Sequence, residues 1–205
     1  MDTPPPIWGL PYHLVTLLFP FLIVSVQVMV MYATLPYPLF LIMIGLMVAY
    51  ILPPAGKESV IPIGIALGIP WWYMALSIAM IDIETCLFMV LNFDLAYKIP
   101  YLGSLLMKIT EKTRVFFTAH KWLAGLNFAA VVLMVMIPVL GSGGGRGSIA
   151  GKLLGMKNYL IFLAVLTGTL IGCFGIALAS DAILNNLCAN GMLPPDISAI
   201  VCNGG

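Results

Sequence analysis

Charged residues are scarce in this sequence. Lys, Arg, Asp and Glu together make up 8% of its 205 residues, against about 25% in soluble domains. None of the four occurs between Thr3 and Gly56, and a second charge-free run extends from Asn158 to Ser180. Each run is long enough to cross the ~30 Å of hydrocarbon in a bilayer. The scarcity excludes an ordinary soluble domain and predicts an integral membrane protein. The net charge of +1 gives no excess of positive charge for binding nucleic acid.

The motifs of several chemical classes are also missing. The four cysteines form no CxxC pair and no Cys/His spacing that would hold a metal. The glycine-rich run 141–147 lacks the Lys-Ser/Thr that follows the glycines of a nucleotide-binding P-loop. No Ser/His/Asp set converges. We therefore expect no enzyme activity, no cofactor and no metal. Cys188 and Cys202 are either two free thiols or a disulfide, which would require an oxidising compartment.

Three apolar segments, 10–32, 70–92 and 157–180, are long enough to be full transmembrane helices. Two shorter apolar arms, 37–52 and 122–138, end at or just before a proline. After each arm come a glycine-containing turn, a short arm that ends in Leu-Gly, and then a full span. The shared order of these parts indicates a weak internal repeat.

The placement of Lys and Arg distinguishes two topologies. In one, both shorter arms cross the membrane completely. In the other, 36–69 and 121–156 are re-entrant hairpins, and seven basic residues then fall on one side. These residues are Lys98, Lys108, Lys112, Arg114, Lys121, Lys152 and Lys157. Because basic residues concentrate on the cytoplasmic side, the hairpin topology is favoured. It predicts a multi-pass plasma membrane protein with a cytoplasmic N-terminus and an outside tail, 181–205.

The two hairpins enter from opposite faces, since one span separates them. Such an inverted repeat is typical of secondary transporters. The segment 101–117 has apolar residues at helical spacing and basic residues elsewhere, which predicts an amphipathic helix on the membrane surface; the alternative is a helix that packs on another protein. We expect one all-α integral membrane domain, 1–180, in contact with membrane lipids and compatible with a homo-oligomer.

Five ionisable residues are predicted at membrane depth, where each needs a partner or a function. They are Lys57, Glu58, Asp82, Glu84 and Arg146. The structural alternative is mutual neutralisation that only holds the hairpins together. In each hairpin the short arm begins at the tip, so its helix N-terminus points toward the membrane centre and favours an anion. Gly143, Gly144 and Gly145 could present backbone N–H groups there, while Arg146 and Lys57 supply positive charge. The candidate substrate-binding residues are therefore Arg146, Lys57 and the three glycines, Gly143, Gly144 and Gly145.

The acidic residues are candidates for proton coupling. Glu58 is the first choice, and it could pair with either Arg146 or Lys57. Asp82 and Glu84 are two residues apart, roughly 200° around a helix, so they do not easily face one cavity. One of them could pair with Lys57 while the other lines a pathway.

The segment PPAGKESVIPIGIALGIPWW, residues 53–72, resembles the small multidrug export protein family in its proline, Glu and Ile-Pro-x-Gly-Ile-x-x-Gly pattern. That family is similar to the DedA/VTT superfamily, with an acidic first hairpin and an arginine-bearing second one. Residues 137–151, IPVLGSGGGRGSIAG, keep the proline, Arg146 and a downstream glycine but lack a second arginine. The resemblance covers roughly 36–180. It implies opposed hairpins, with Glu58 as the first-hairpin acid and Arg146 as the second-hairpin base.

The resemblance also implies movement of polyprenyl-phosphate or phospholipid, with a proton-motive force suggested. We therefore expect a flippase-like transporter for an anionic amphiphile such as a lipid-phosphate. The alternatives are an ion- or proton-coupled exporter of small solutes and a structural protein whose hairpins only pack. No aromatic cage or acidic drug pocket is recognisable in the sequence itself.

Overall fold

The computed structural model describes residues 10–52, 55–97, 123–137 and 143–191, together with residues 198 and 202. This part of the chain contains seven α-helices and no strand, which confirms the all-α prediction. The helices are α1 (Leu10–Thr34), α2 (Tyr37–Ile51), α3 (Lys57–Ala66), α4 (Trp71–Tyr97), α5 (Leu123–Met136), α6 (Gly144–Leu153) and α7 (Asn158–Ala189). The predicted surface helix, 101–117, lies outside the described residues, and so do residues 192–197, 199–201 and 203–205 of the predicted tail.

Three of the described helices are long and apolar enough to cross a membrane, as predicted. The candidate spans are Val15–Thr34 in α1, Trp71–Phe93 in α4 and Asn158–Ala189 in α7. Helices α2 and α5 are apolar but shorter. Many large apolar side chains face outward, and Met29 of α1 is 74% exposed. Such a surface suits contact with lipid, since water would penalise it.

Helix α7 continues beyond residue 180, where the sequence analysis ended the last span. The polar residues there are compatible with a helix because they bond along it: the Asn185 amide donates to the Asp181 carboxylate at 3.1 Å. The helix ends before Gly191, which has a φ of 59°. Near this end, Cys188 is joined to Cys202 by a disulfide, with 5.8 Å between the Cα atoms. Of the two alternatives for this pair, the structure therefore has the bridge.

The two short helices, α3 and α6, are built in the same way. Each is ten residues long and is followed by a glycine with positive φ, 90° at Gly68 and 68° at Gly155. The next backbone N–H groups, of Ile69 and Met156, each donate to the carbonyl five residues earlier at 3.0 Å. This is the Schellman ending, in which glycine avoids the strain that a Cβ would cause. Both halves of the chain thus join a short helix to a long one by the same device.

Helices α4 and α7 pack against each other, and both short helices pack against this pair. One apolar cluster joins α2, α3, α4 and α7 around residues such as Met43, Ile61 and Ile78. A second joins α4, α5 and α7 around Val135 and Ile161. This packing brings the first residues of α3 and α6 to the same region between the long helices.

Candidate functional site

A cavity of about 200 Å³ lies where the first residues of α3 and α6 meet the middle of α4. We call it the central cavity. The end of α2 and the turn before α3 complete its wall. Six of the eight predicted site residues line it: Lys57, Asp82, Gly143, Gly144, Gly145 and Arg146. The fold therefore brings the predicted tip residues of both segments to one place.

Asp82 is the polar centre of this cavity. Its side chain is 1% exposed and accepts three hydrogen bonds from three different helices. The Tyr50 hydroxyl donates to Oδ1 at 2.6 Å, the Gly144 backbone N–H donates to Oδ1 at 2.9 Å, and the Thr169 hydroxyl donates to Oδ2 at 3.0 Å. These bonds offset the cost of burying the carboxylate. Asp82 thus ties α2, α6 and α7 to α4.

Gly144, the first residue of α6, touches the backbone of α4. A Cβ at this position would lie 1.9 Å from the carbonyl oxygen of Asp82, so only glycine fits. The close approach lets the Gly144 N–H reach the Asp82 carboxylate. A negative charge at a helix N-terminus is favourable, because unpaired N–H groups converge there. The structure therefore places the protein's own Asp82 carboxylate at the helix start where the sequence predicted an anion.

Lys57 begins α3 and is 1% exposed. Its ammonium donates to the backbone carbonyl of Val135, next to the last residue of α5. The carbonyl end of a helix favours a cation. Charges from the first half of the chain thus lie on helix ends of the second half: Lys57 on the end of α5, and Asp82 on the start of α6.

Glu58 lies in the first turn of α3 but does not line the central cavity. Its carboxylate folds back over Gly56, where a Cβ would lie 2.3 Å from both oxygens. Oε2 is buried and has no hydrogen-bond partner. Within the described part of the chain, Glu58 bonds to neither of the two partners proposed for it, Lys57 and Arg146. Arg146 is exposed, in the first turn of α6.

Glu84 lines a different cavity, also of about 200 Å³, between α1, α2 and α4. We call it the lateral cavity. Its wall is apolar apart from Glu84 and Thr85, and Phe21 and Phe88 form part of it. The separation of two residues along α4 explains why Asp82 and Glu84 face different cavities.

Tyr50 and Thr169, the two hydroxyl donors to Asp82, were not among the predicted site residues. Each lies in an apolar helix, where a hydroxyl is easily taken for a tolerated polar residue. The signal that could have found them is the buried carboxylate itself, since it requires donors at the same depth. Their identity still depends on which helices pack against α4, which the sequence does not state.

The three apolar spans and the buried charges between them define a helical membrane protein. A model of the family described as "Putative small multi-drug export protein" matches residues 57–174, which is more than half of the chain, so the chain belongs to that family. No curated protein and no solved structure matches it. The matched segment contains Lys57, Asp82, Arg146 and Thr169, while Tyr50 lies before it.

Proposed function

We propose that this protein is a membrane transporter whose substrate passes through the central cavity. One observation carries the proposal: the first turns of α3 and α6 converge on a single cavity that also holds Asp82, Lys57 and Arg146. Charged side chains between apolar spans are costly, and a site for a polar group gives that cost a function. The family description names export, which supports outward transport.

The topology that suits this function is the pair of re-entrant hairpins, 36–69 and 121–156, in an inverted repeat. The equal lengths of α3 and α6 and their identical Schellman endings support it. Broken helices of this kind place their N-termini at a substrate site near the membrane centre. The Cys188–Cys202 bridge supports an outside position for the end of α7, since disulfides persist in oxidising compartments. The N-terminus is then cytoplasmic.

The charges on the cavity wall favour an anionic group in the substrate. Lys57 and Arg146 are positive and Asp82 is negative, so the wall has one positive charge in excess. Arg146 offers a planar fork that suits phosphate or carboxylate. The outward-facing apolar surface would accommodate the chains of an amphiphile. A lipid-phosphate is therefore the substrate that we propose first, on the chemistry of the site rather than on the likeness to the DedA superfamily.

Proton coupling follows from the same charges. With Glu58 included, the charges of Lys57, Glu58, Asp82 and Arg146 sum to zero. Taking up a proton on Glu58 or Asp82 leaves one positive charge, which attracts an anion. Glu58 is the residue that we propose as the proton carrier: its Oε2 has no hydrogen-bond partner in the described structure, whereas Asp82 accepts three hydrogen bonds that join helices. Glu84 would assist from the lateral cavity.

The test is lipid movement by the full chain in liposomes. Fluorescent NBD-phosphatidic acid in the inner leaflet is quenched by external dithionite only after it crosses. Arg146→Gln should slow quenching at least about tenfold, since it removes the charge-assisted fork. Arg146→Lys should keep part of the rate. Lys157→Gln is the matched control, because Lys157 is exposed and does not line the cavity. If Arg146→Gln and Lys57→Met both move the labelled lipid at the parental rate, the central cavity is not the substrate site.

A proton-coupled exporter of small solutes is the second candidate. The family description favours it, and so does a cavity whose wall has charges of both signs. The same liposomes, loaded with a pH dye, distinguish the two functions. Proton flux that depends on benzoate, without movement of the labelled lipid, would favour the small-solute exporter.

A further inference from the structure

Glu84 occupies a position that the central cavity does not explain. It is the central residue of α4, which extends from Trp71 to Tyr97, and its side chain is 5% exposed. Its Oε1 is buried and has no hydrogen-bond partner within the described structure. A carboxylate without a donor in the middle of a membrane span is unfavourable unless it takes a proton or a cation.

The described residues that line the lateral cavity include no Lys or Arg. Helices α1 (Leu10–Thr34) and α2 (Tyr37–Ile51) contain no Lys, Arg, Asp or Glu. The Thr85 hydroxyl is directed to the Ile81 carbonyl at 2.7 Å. Lys57, the predicted partner of one of the two α4 acids, instead donates to Val135 at the central cavity. Of the titratable groups on the packed helices, Tyr50 of α2 donates to Asp82. Within the described wall, Glu84 is thus the one charged group.

The remaining surface of the cavity suits an apolar cation. The rings of Phe21 and Phe88 lie edge to face, with 6.0 Å between their centres, and both line the cavity with Glu84. Aromatic faces attract quaternary ammonium groups, and more strongly so away from water. Phe21 is 56% exposed on the outer side of α1. A ligand dissolved in the lipid could therefore reach the cavity from the side.

We propose that the lateral cavity binds a lipophilic monovalent cation, with Glu84 as its counter-ion and Phe21 and Phe88 as its aromatic wall. A proton and the cation compete for the same carboxylate, so binding of one releases the other. Neutral ligands of the same shape lack this attraction, and anions are repelled. The site does not depend on the substrate of the central cavity, although Ile51, Ile81 and Thr85 line both cavities.

The test compares three ligands of similar shape and different charge. Phenyltrimethylammonium, tert-butylbenzene and benzenesulfonate are titrated by calorimetry into the full chain in nanodiscs, with empty nanodiscs as the baseline. The cation should bind and the other two should not. Glu84→Gln should weaken cation binding at least about tenfold, while Asp181→Asn, which removes a carboxylate elsewhere, should leave it unchanged.

The aromatic wall has its own matched pair on α1. Phe21→Leu should weaken cation binding by roughly threefold or more. Phe19→Leu removes an exposed ring that does not line the cavity, so it should have no effect. Equal effects of the two substitutions would contradict the proposed place of the cation.

A measurement on the unaltered protein covers the case in which Glu84→Gln fails to fold. Dicyclohexylcarbodiimide modifies carboxyl groups in apolar surroundings, and mass spectrometry locates the modified residue. Phenyltrimethylammonium should protect Glu84 from this reagent, and tert-butylbenzene should not. The proposal is overturned if the cation fails to protect Glu84, if tert-butylbenzene binds as tightly as the cation, or if a folded Glu84→Gln protein keeps the parental affinity. Lipid movement through the central cavity is a separate measurement, and its outcome does not test cation binding at the lateral cavity.

Discussion

Asp82 Oδ1 lies 2.9 Å from the backbone nitrogen of Gly144, so α6 begins on a carboxylate that belongs to α4. Under the proposed function, an anionic substrate would share this helix start with Asp82. The positive charges of Lys57 and Arg146 on the same cavity wall would then be needed to hold it. The bond also means that any movement of α6 away from α4 exposes a buried acid.

Gly144→Ala tests this close contact. The new Cβ would meet the Asp82 carbonyl oxygen at 1.9 Å, so α6 must shift and the N–H bond to Oδ1 is lost. We expect the free energy of unfolding to fall by about 3 kcal/mol, measured as a lower melting temperature in detergent. Gly175→Ala is the control, because a Cβ there meets nothing within 4 Å. Equal melting temperatures for the two variants would contradict the contact.

Asp82→Ala removes the acceptor of three hydrogen bonds. Tyr50, Gly144 and Thr169 would each keep a donor without a partner, and we expect a loss of about 3 kcal/mol in stability. Tyr50→Phe leaves the carboxylate with two donors and should cost about 1 kcal/mol. Thermal unfolding in detergent measures both. Asp181→Ala, at a half-exposed acid on α7, is the reference substitution; the structure is contradicted if it destabilises as much as Asp82→Ala.

The disulfide predicts how many thiols react. Cys188 and Cys202 are bridged, whereas Cys86 and Cys173 are free and buried. Alkylation of the denatured, unreduced protein should therefore modify two cysteines, and prior reduction should raise the number to four. Mass spectrometry counts the added groups. Four reactive thiols without reduction would show that the pair is not bridged in the cell, and would remove its support for an outside tail.

Orientation can be read from single added cysteines. A membrane-impermeant maleimide applied to intact cells should label Met192→Cys and should not label Lys157→Cys, because the hairpin topology places these positions on opposite sides. The unaltered chain serves as the unlabelled control, since its four cysteines are either bridged or buried. The reverse pattern would refute the proposed topology.

Much of the helical structure could be predicted from the sequence. Long charge-free runs predict membrane-spanning helices, because a helix pairs its backbone groups within the segment. The ends of the two short helices at Gly68 and Gly155 could also be predicted from their Leu-Gly pairs, because the backbone geometry of a helix end depends on nearby residues. The helix of the last predicted span continues past residue 180 to Ala189.

Most of the predicted site residues lie around one cavity, but their partners differ from those that the sequence suggested. Sequence reasoning assigned the helix starts to an external anion and left the partner of Glu58 open between Lys57 and Arg146. In the structure, Asp82 accepts a hydrogen bond from a backbone N–H at the start of α6, and Lys57 donates to a backbone carbonyl at the end of α5. Both of these partners are backbone groups on helices that are distant in the sequence. No residue type or spacing in the sequence marks them.

The sequence by itself determined that this is a helical membrane protein and where its long helices lie, and it pointed to Lys57, Asp82 and Glu84 as charges that would be buried. The reason is that burial of apolar surface and the cost of an unpaired charge depend mainly on residue type. Only the tertiary structure decided that Asp82 faces the central cavity and Glu84 a separate apolar one. It also showed that Tyr50 and Thr169 complete the hydrogen bonding of Asp82. Those facts depend on which helices pack against each face of α4, and that is a property of the whole chain.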